Sequence, residues 1–82
     1  MHNAKSSTLQ ILDALVAAHY PLSIRELAHA TRMFDEKTLY KLCSRLKRRW
    51  LARAVHDAEG RLRYQITGKG RQRLRWVRQE GA

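Results

Sequence analysis

The segment EKTLYKLCSRLKRR, residues 36–49, constrains this chain more than any other. Leu39, Leu42, Cys43 and Leu46 recur at three- and four-residue steps and draw one apolar stripe along a helix. Lys37, Lys41, Arg45, Lys47, Arg48 and Arg49 crowd the rest of its circumference. A helix this short is marginal on its own in water, so its stripe has to be covered by other elements of the chain. Asp35 is placed to cap it and Glu36 to complement the dipole in its first turn, which sets the helix at about 36–49.

The covering elements can be read on either side. Ser7-Thr8-Leu9-Gln10 reads as a capping box, with the Ser7 hydroxyl accepting from the amide of Gln10. Leu9, Leu12, Leu15, Val16 and His19 then mark one face of a helix over about 8–18, which Pro21 stops. Ser23-Ile24-Arg25-Glu26 repeats the device and opens a helix over about 24–31, with Leu27, Ala28 and Thr31 on its inner face. Beyond Trp50 the texture changes. Residues 51–56 are β-tolerant, Asp57-Ala58-Glu59-Gly60 supplies turn chemistry with glycine available for positive φ, and Leu62, Tyr64 and Ile66 alternate with Arg61, Arg63 and Gln65. This pattern is a β-hairpin. Thr67 caps a last helix over about 68–79 that returns Leu74 and Val77 to the core, although Gly68 and Gly70 weaken its first turn. With no repeat, linker or low-complexity tract, the reading is one α+β, mainly α domain over residues 1–82, its core at about 7–78.

Charge narrows the range of partners. Seventeen Lys and Arg stand against seven Asp and Glu, a formal +10, and residues 45–78 hold twelve of the bases against two acids. Such a field favours polyanions over neutral small substrates. Cys43 is the only cysteine, so neither a disulfide within the chain nor a four-cysteine zinc site can form, which fits a reduced, cytoplasmic setting. The apolar run of residues 9–20 is broken by Gln10, Asp13 and His19 and is too short to span a bilayer, and the N-terminus has no signal-peptide plan. His2, His19, His29 and His56 show no paired ligand spacing, so neither metal nor cofactor is expected. There are no carboxylates paired on one face and no nucleophile with a base in reach, and the GKG of residues 68–70 lacks the spacing of a phosphate loop. These absences argue against an enzyme.

The order helix, short extended piece, helix, helix, hairpin, helix resembles a winged helix-turn-helix domain. SIRELAHAT, KTLYKLCSRLKRRWLAR and RYQITGKGRQRL look like segments of small MarR- and PadR-like regulators. Thr38-Leu39-Tyr40 resembles their TLY..L..L helix, and residues 64–70 resemble the Y.LT..G junction between wing and final helix. The likeness covers about residues 7–78. Trp50 stands where these families usually have a glycine, which predicts a different bend on the way into the wing. Arg32-Met33-Phe34 replaces a turn in which glycine is common, and the spacing from Ala28 to Leu39 is about one residue longer than usual. The long terminal helices through which such regulators dimerise have no counterpart here, so monomer and homodimer both stay open, and any effector has to sit at an interface or be another protein.

What the resemblance implies is double-stranded DNA binding by a transcriptional regulator, as a repressor that occludes a promoter. The outward residues Lys37, Thr38, Tyr40, Lys41, Ser44, Arg45 and Arg48 would face the major groove. Arg61 and Arg63 on the hairpin would meet backbone or minor groove, and Ser23, a structural cap, would also face phosphate. The competing readings are a solvated basic helix face and an edge strand protected by charge. The final helix, with Lys69, Arg71, Arg73, Arg75 and Arg78 around most of its circumference, serves solubility more than contact. Two other functions remain: an RNA-binding or architectural module, for which few exposed aromatics are expected to stack bases, and a protein-interaction module with an apolar surface around Trp50 and Trp76. Against that surface stands ordinary packing of the two rings on the first helix.

Overall fold

Ser23 opens a helix because two otherwise orphaned amides find partners around it. Its hydroxyl accepts from the Glu26 N–H at 3.1 Å, and the Glu26 carboxylate accepts from the Ser23 N–H at 2.9 Å. The computed structural model describes residues 7–81, with side chains through Val77. It orders the chain as α1 (Ser7–Ala18), α2 (Ile24–Thr31), α3 (Glu36–Arg48), β1 (Ala52–His56), β2 (Leu62–Ile66) and α4 (Gly68–Gly81). Asp35 caps α3 by accepting from the Thr38 amide at 3.4 Å and the Thr38 hydroxyl at 2.8 Å. Thr67 caps α4, its hydroxyl accepting from the Gly70 N–H at 3.0 Å. α1 starts one residue earlier than its spacing suggests: Ser7 lies inside the first turn, and the cap position falls on residue 6, outside the described residues.

The helix ends depart from expectation in one shared way. His19, Arg32 and Trp50 follow α1, α2 and α3, and all three are left-handed, with φ of 64°, 60° and 64°. None is glycine, so each costs about 1–2 kcal/mol of backbone strain. The bend expected from the missing glycine after α3 therefore does not occur. Trp50 itself adopts the glycine-like conformation: its N–H donates to the Lys47 carbonyl, and the Leu51 N–H reaches back to the Leu46 carbonyl, both at 3.0 Å. Leu46 and Leu51 are both buried, which supplies the apolar contact that accompanies this type of helix end. Between α2 and α3, Arg32 takes the left-handed position, and the Thr31 hydroxyl donates to the Leu27 carbonyl at 2.7 Å.

β1 and β2 pair antiparallel from Ala52 opposite Ile66 to His56 opposite Leu62, and Gly60 turns the hairpin at φ 79°. Leu22, in the connection between α1 and α2, bridges Tyr64 through reciprocal backbone bonds of 2.8 and 2.7 Å, which ties the hairpin to the helical layer. One core joins all the elements. Ile11, Leu12, Leu27, Leu39, Cys43 and Leu46 are almost fully buried, and Tyr64, Ile66 and Leu74 close it from the hairpin and α4. Gly70 has a packing reason: a Cβ there would collide with the Leu51 carbonyl and the Ile66 side chain, whereas Gly68 faces open space. Among the described residues no helix is long and apolar enough to cross a membrane.

Chemical denaturation should separate these glycines. Gly70→Ala should lose about 1–3 kcal/mol of stability to overpacking, whereas Gly68→Ala should gain about 0.4–1 kcal/mol from a less flexible unfolded chain. Trp50→Gly should stabilise by about 1 kcal/mol as left-handed strain is relieved.

Candidate nucleic-acid interface

The buried stripe of α3 determines which of its residues face outward. With Leu39, Cys43 and Leu46 buried and Leu42 half-buried, Lys37, Thr38, Tyr40, Lys41, Arg45 and Arg48 are all exposed. On the helix they fall on one polar and basic side, with Tyr40 at its edge next to the buried Cys43. Thr38 is partly committed, since its hydroxyl donates to the Asp35 carboxylate that caps the helix. Ser44 is placed differently from the rest: it is half-buried, on the side of α3 toward the buried Tyr64. That position leaves Ser44 little surface for a groove.

The hairpin residues divide in the same way. Arg61 is exposed beside the turn, and its backbone N–H donates to the Asp57 carboxylate at 2.9 Å. Arg63 is a tie. Its Nε donates to Asp57 at 2.9 Å, and one terminal nitrogen pairs with Glu26 at 2.7 Å and donates to the Pro21 carbonyl at 3.4 Å. One guanidinium thus joins the wing turn to the first turn of α2, so the angle between wing and helices depends on it. Ser23, half-buried, holds Glu26 from the other side. The alternating pattern marked Arg63 as facing away from the hairpin core, but its partner Glu26 is 37 residues distant, and no local signal points there. Asp57 was findable: six residues before Arg63, it begins the turn of the hairpin. Arg53 was passed over among the wing residues. It lies exposed on β1, its Nε donating to Gln65 of β2 at 3.1 Å.

The carboxylates of this network are held below their ordinary ionisation range. The backbone hydrogen bond from Ser23 is the main cause for Glu26, the Arg63 guanidinium for Asp57 and the Thr38 hydroxyl for Asp35. Burial pushes the Cys43 thiol up to about 12, so it stays protonated and acts as a small core hydrophobe. Among the described residues, which exclude His2, no three His, Cys, Asp or Glu side chains gather as a metal site.

The exposed aromatics overturn an expectation. Tyr20, Phe34, Tyr40, Trp50 and Trp76 are all more than half exposed, and Tyr64 alone of the six aromatics is buried. The two tryptophans do not pack on α1. Trp50 is 73% exposed and Trp76 53%, and both lie on the side of the molecule formed by the end of α3 and by α4.

Two measurements follow from these contacts. Each depressed carboxylate favours the folded state above its ordinary ionisation range, and that contribution is lost as pH falls through the range toward the lower folded-state value. The melting temperature should therefore hold down to about pH 5 and fall as the pH drops through the ordinary carboxylate range. Glu26→Gln and Asp57→Asn should flatten the profile, and a mutant profile parallel to that of the parent would refute the tie. Cys43 should be inert to a thiol reagent in the native protein and react once denaturant unfolds it.

No protein-family model and no curated protein matches the chain. Solved structures do. The PcaV transcriptional regulator of Streptomyces coelicolor, determined with its natural ligand, is similar at 31% identity and a TM-score of 0.77, over 88% of this chain and 51% of that one. BpsR of Bordetella bronchiseptica, whose DNA binding is regulated by 6-hydroxynicotinic acid, is similar at 25% identity and a TM-score of 0.78, over 89% and 52%. A MarR family transcriptional regulator of Silicibacter pomeroyi is similar at 27% identity and a TM-score of 0.77, over 88% and 48%. The chain spans about half the length of each.

Proposed function

From a chain that carries the winged helix-turn-helix fold of MarR-type transcriptional regulators, we propose sequence-specific binding of double-stranded DNA, with repression by occlusion of a promoter. The observation that carries the reading is the exposed face of α3, where Lys37, Tyr40, Lys41, Arg45 and Arg48 stand outward from a helix whose opposite face is locked into the core. A major groove admits one such helix. Lys41 and Arg45 are the base-reading candidates, since both can reach the guanine acceptors, with Tyr40 at the edge of the same face for a thymine methyl or a phosphate. Lys37, Thr38 and Arg48 hold the backbone on either side, and Arg61 adds a contact from the wing. Arg63 works through position: clamped by Asp57 and Glu26, it fixes where Arg61 meets the duplex.

Selection from a random duplex pool at near-physiological salt tests the reading. A single enriched motif supports it, and an inverted repeat with half-sites about 34–36 Å apart would identify a two-fold dimer on DNA. No enrichment would refute sequence-specific binding. On the selected site, Arg45→Ala or Lys41→Ala should cost about 1–3 kcal/mol and relax preference at one base position. Arg61→Ala should weaken selected and random duplexes alike. Arg63→Ala should lower affinity and melting temperature together. If about six phosphates are engaged, affinity should fall roughly a thousandfold between about 50 and 200 mM salt. A promoter reporter in cells, silenced by the parent chain and released by Arg45→Ala, would establish repression.

A further inference from the structure

Trp50 raises a question that DNA reading by α3 leaves unanswered. It occupies a left-handed position where glycine is free of strain, yet it is the most exposed of the large hydrophobic residues, so burial of its ring does not offset the strain. Its surroundings are specific. Two adjoining open hollows of about 300 and 280 Å³ share Leu51, Lys69 and Arg73; Trp50 and Arg49 border the first and Trp76 the second. The Arg73 guanidinium stands 5.9 Å from the centre of the Trp76 ring. Two indoles thus flank a floor of cations on the side formed by the end of α3 and α4.

The chemistry of this platform selects among partners. A second copy of the chain docking by the same face would set Arg49, Lys69 and Arg73 against themselves, because a two-fold contact pairs each patch with its own equivalent. An acidic peptide would satisfy the cations and leave the indoles in water. An unpaired nucleic-acid strand satisfies both, with bases stacking on the rings and phosphates lying on the cations, whereas the bases of an intact duplex are not available for stacking. We propose that Trp50, Lys69, Arg73 and Trp76 form a second nucleic-acid site, for single-stranded DNA, distinct from the face of α3. This site does not depend on the groove assignment, since it uses other residues.

Tryptophan fluorescence of the folded protein, titrated with an unstructured oligothymidylate of about twelve nucleotides, tests it. Quenching is expected, and Trp50→Gly and Trp76→Ala should each weaken binding about tenfold. Lys69→Ala and Arg73→Ala should each weaken binding and lower the salt slope by about one. Trp50→Gly is informative on its own, because relief of left-handed strain offsets the loss of the ring, and its melting temperature, read beside the titration, separates weakened binding from unfolding. All four variants should keep the parent's affinity for a selected duplex. Oligothymidylate binding unchanged in both tryptophan variants would overturn the proposal, as would equal displacement by polyglutamate or tighter binding of oligouridylate. A protein dimer that Trp76→Ala dissociates in sedimentation would overturn it in favour of a second copy.

Discussion

The junction of Trp50 and Leu51 is the constraint on which the rest of the structure depends. The Leu51 N–H closes α3 on the Leu46 carbonyl, and its carbonyl receives the Thr67 N–H at 3.2 Å. The Trp50 carbonyl receives the Thr67 hydroxyl, and Gly70 presses against the Leu51 carbonyl from α4. Two successive peptide groups therefore end the helix proposed to read DNA, start the wing and seat the last helix. The backbone can serve all three only by turning left-handed at Trp50, and the close approach of α4 excludes any side chain at residue 70.

A second tie works from the other end of the hairpin. The Leu22–Tyr64 bridge and the Arg63 guanidinium hold the wing to the start of α2. The wing is thus fastened to α2 along β2 and to the end of α3 through Thr67. Rigid spacing of this kind suits a surface proposed to meet two parts of one duplex, because a contact held in place in advance need not be ordered on binding. The charge-assisted bonds of Arg63 make this part of the coupling sensitive to pH, whereas the backbone hydrogen bonds at Leu51 involve no titrating group.

The split in chemistry between the two surfaces has a plain origin. On the outward face of α3 the single aromatic, Tyr40, sits among cations at helical spacing, which suits an element that enters a groove. Around α4 the cations alternate with two indoles on a broad, open surface, which suits bases that have left their stack. Both sides draw on the chain's excess of Arg and Lys, and their geometry separates them.

By itself the sequence determined what short-range physics controls. The capping box at Ser23, the caps at Asp35 and Thr67, the turn at Gly60 and the apolar stripe of α3 each act within a few residues, and α2 spans the residues its pattern marks. The outward set on α3 follows from that stripe, apart from Ser44, which the fold leaves half-buried. Only the tertiary structure decided what depends on distant neighbours. It turned Trp50 left-handed, because closing α3 onto β1 required it. It gave Gly70 a packing role that helix propensity reads as a weakness, made Arg63 a tie between α2 and the wing, and left both tryptophans exposed. Periodicity reports which face of an element is apolar; it carries no information about what another element brings against that face, and at these positions that contact governs the outcome.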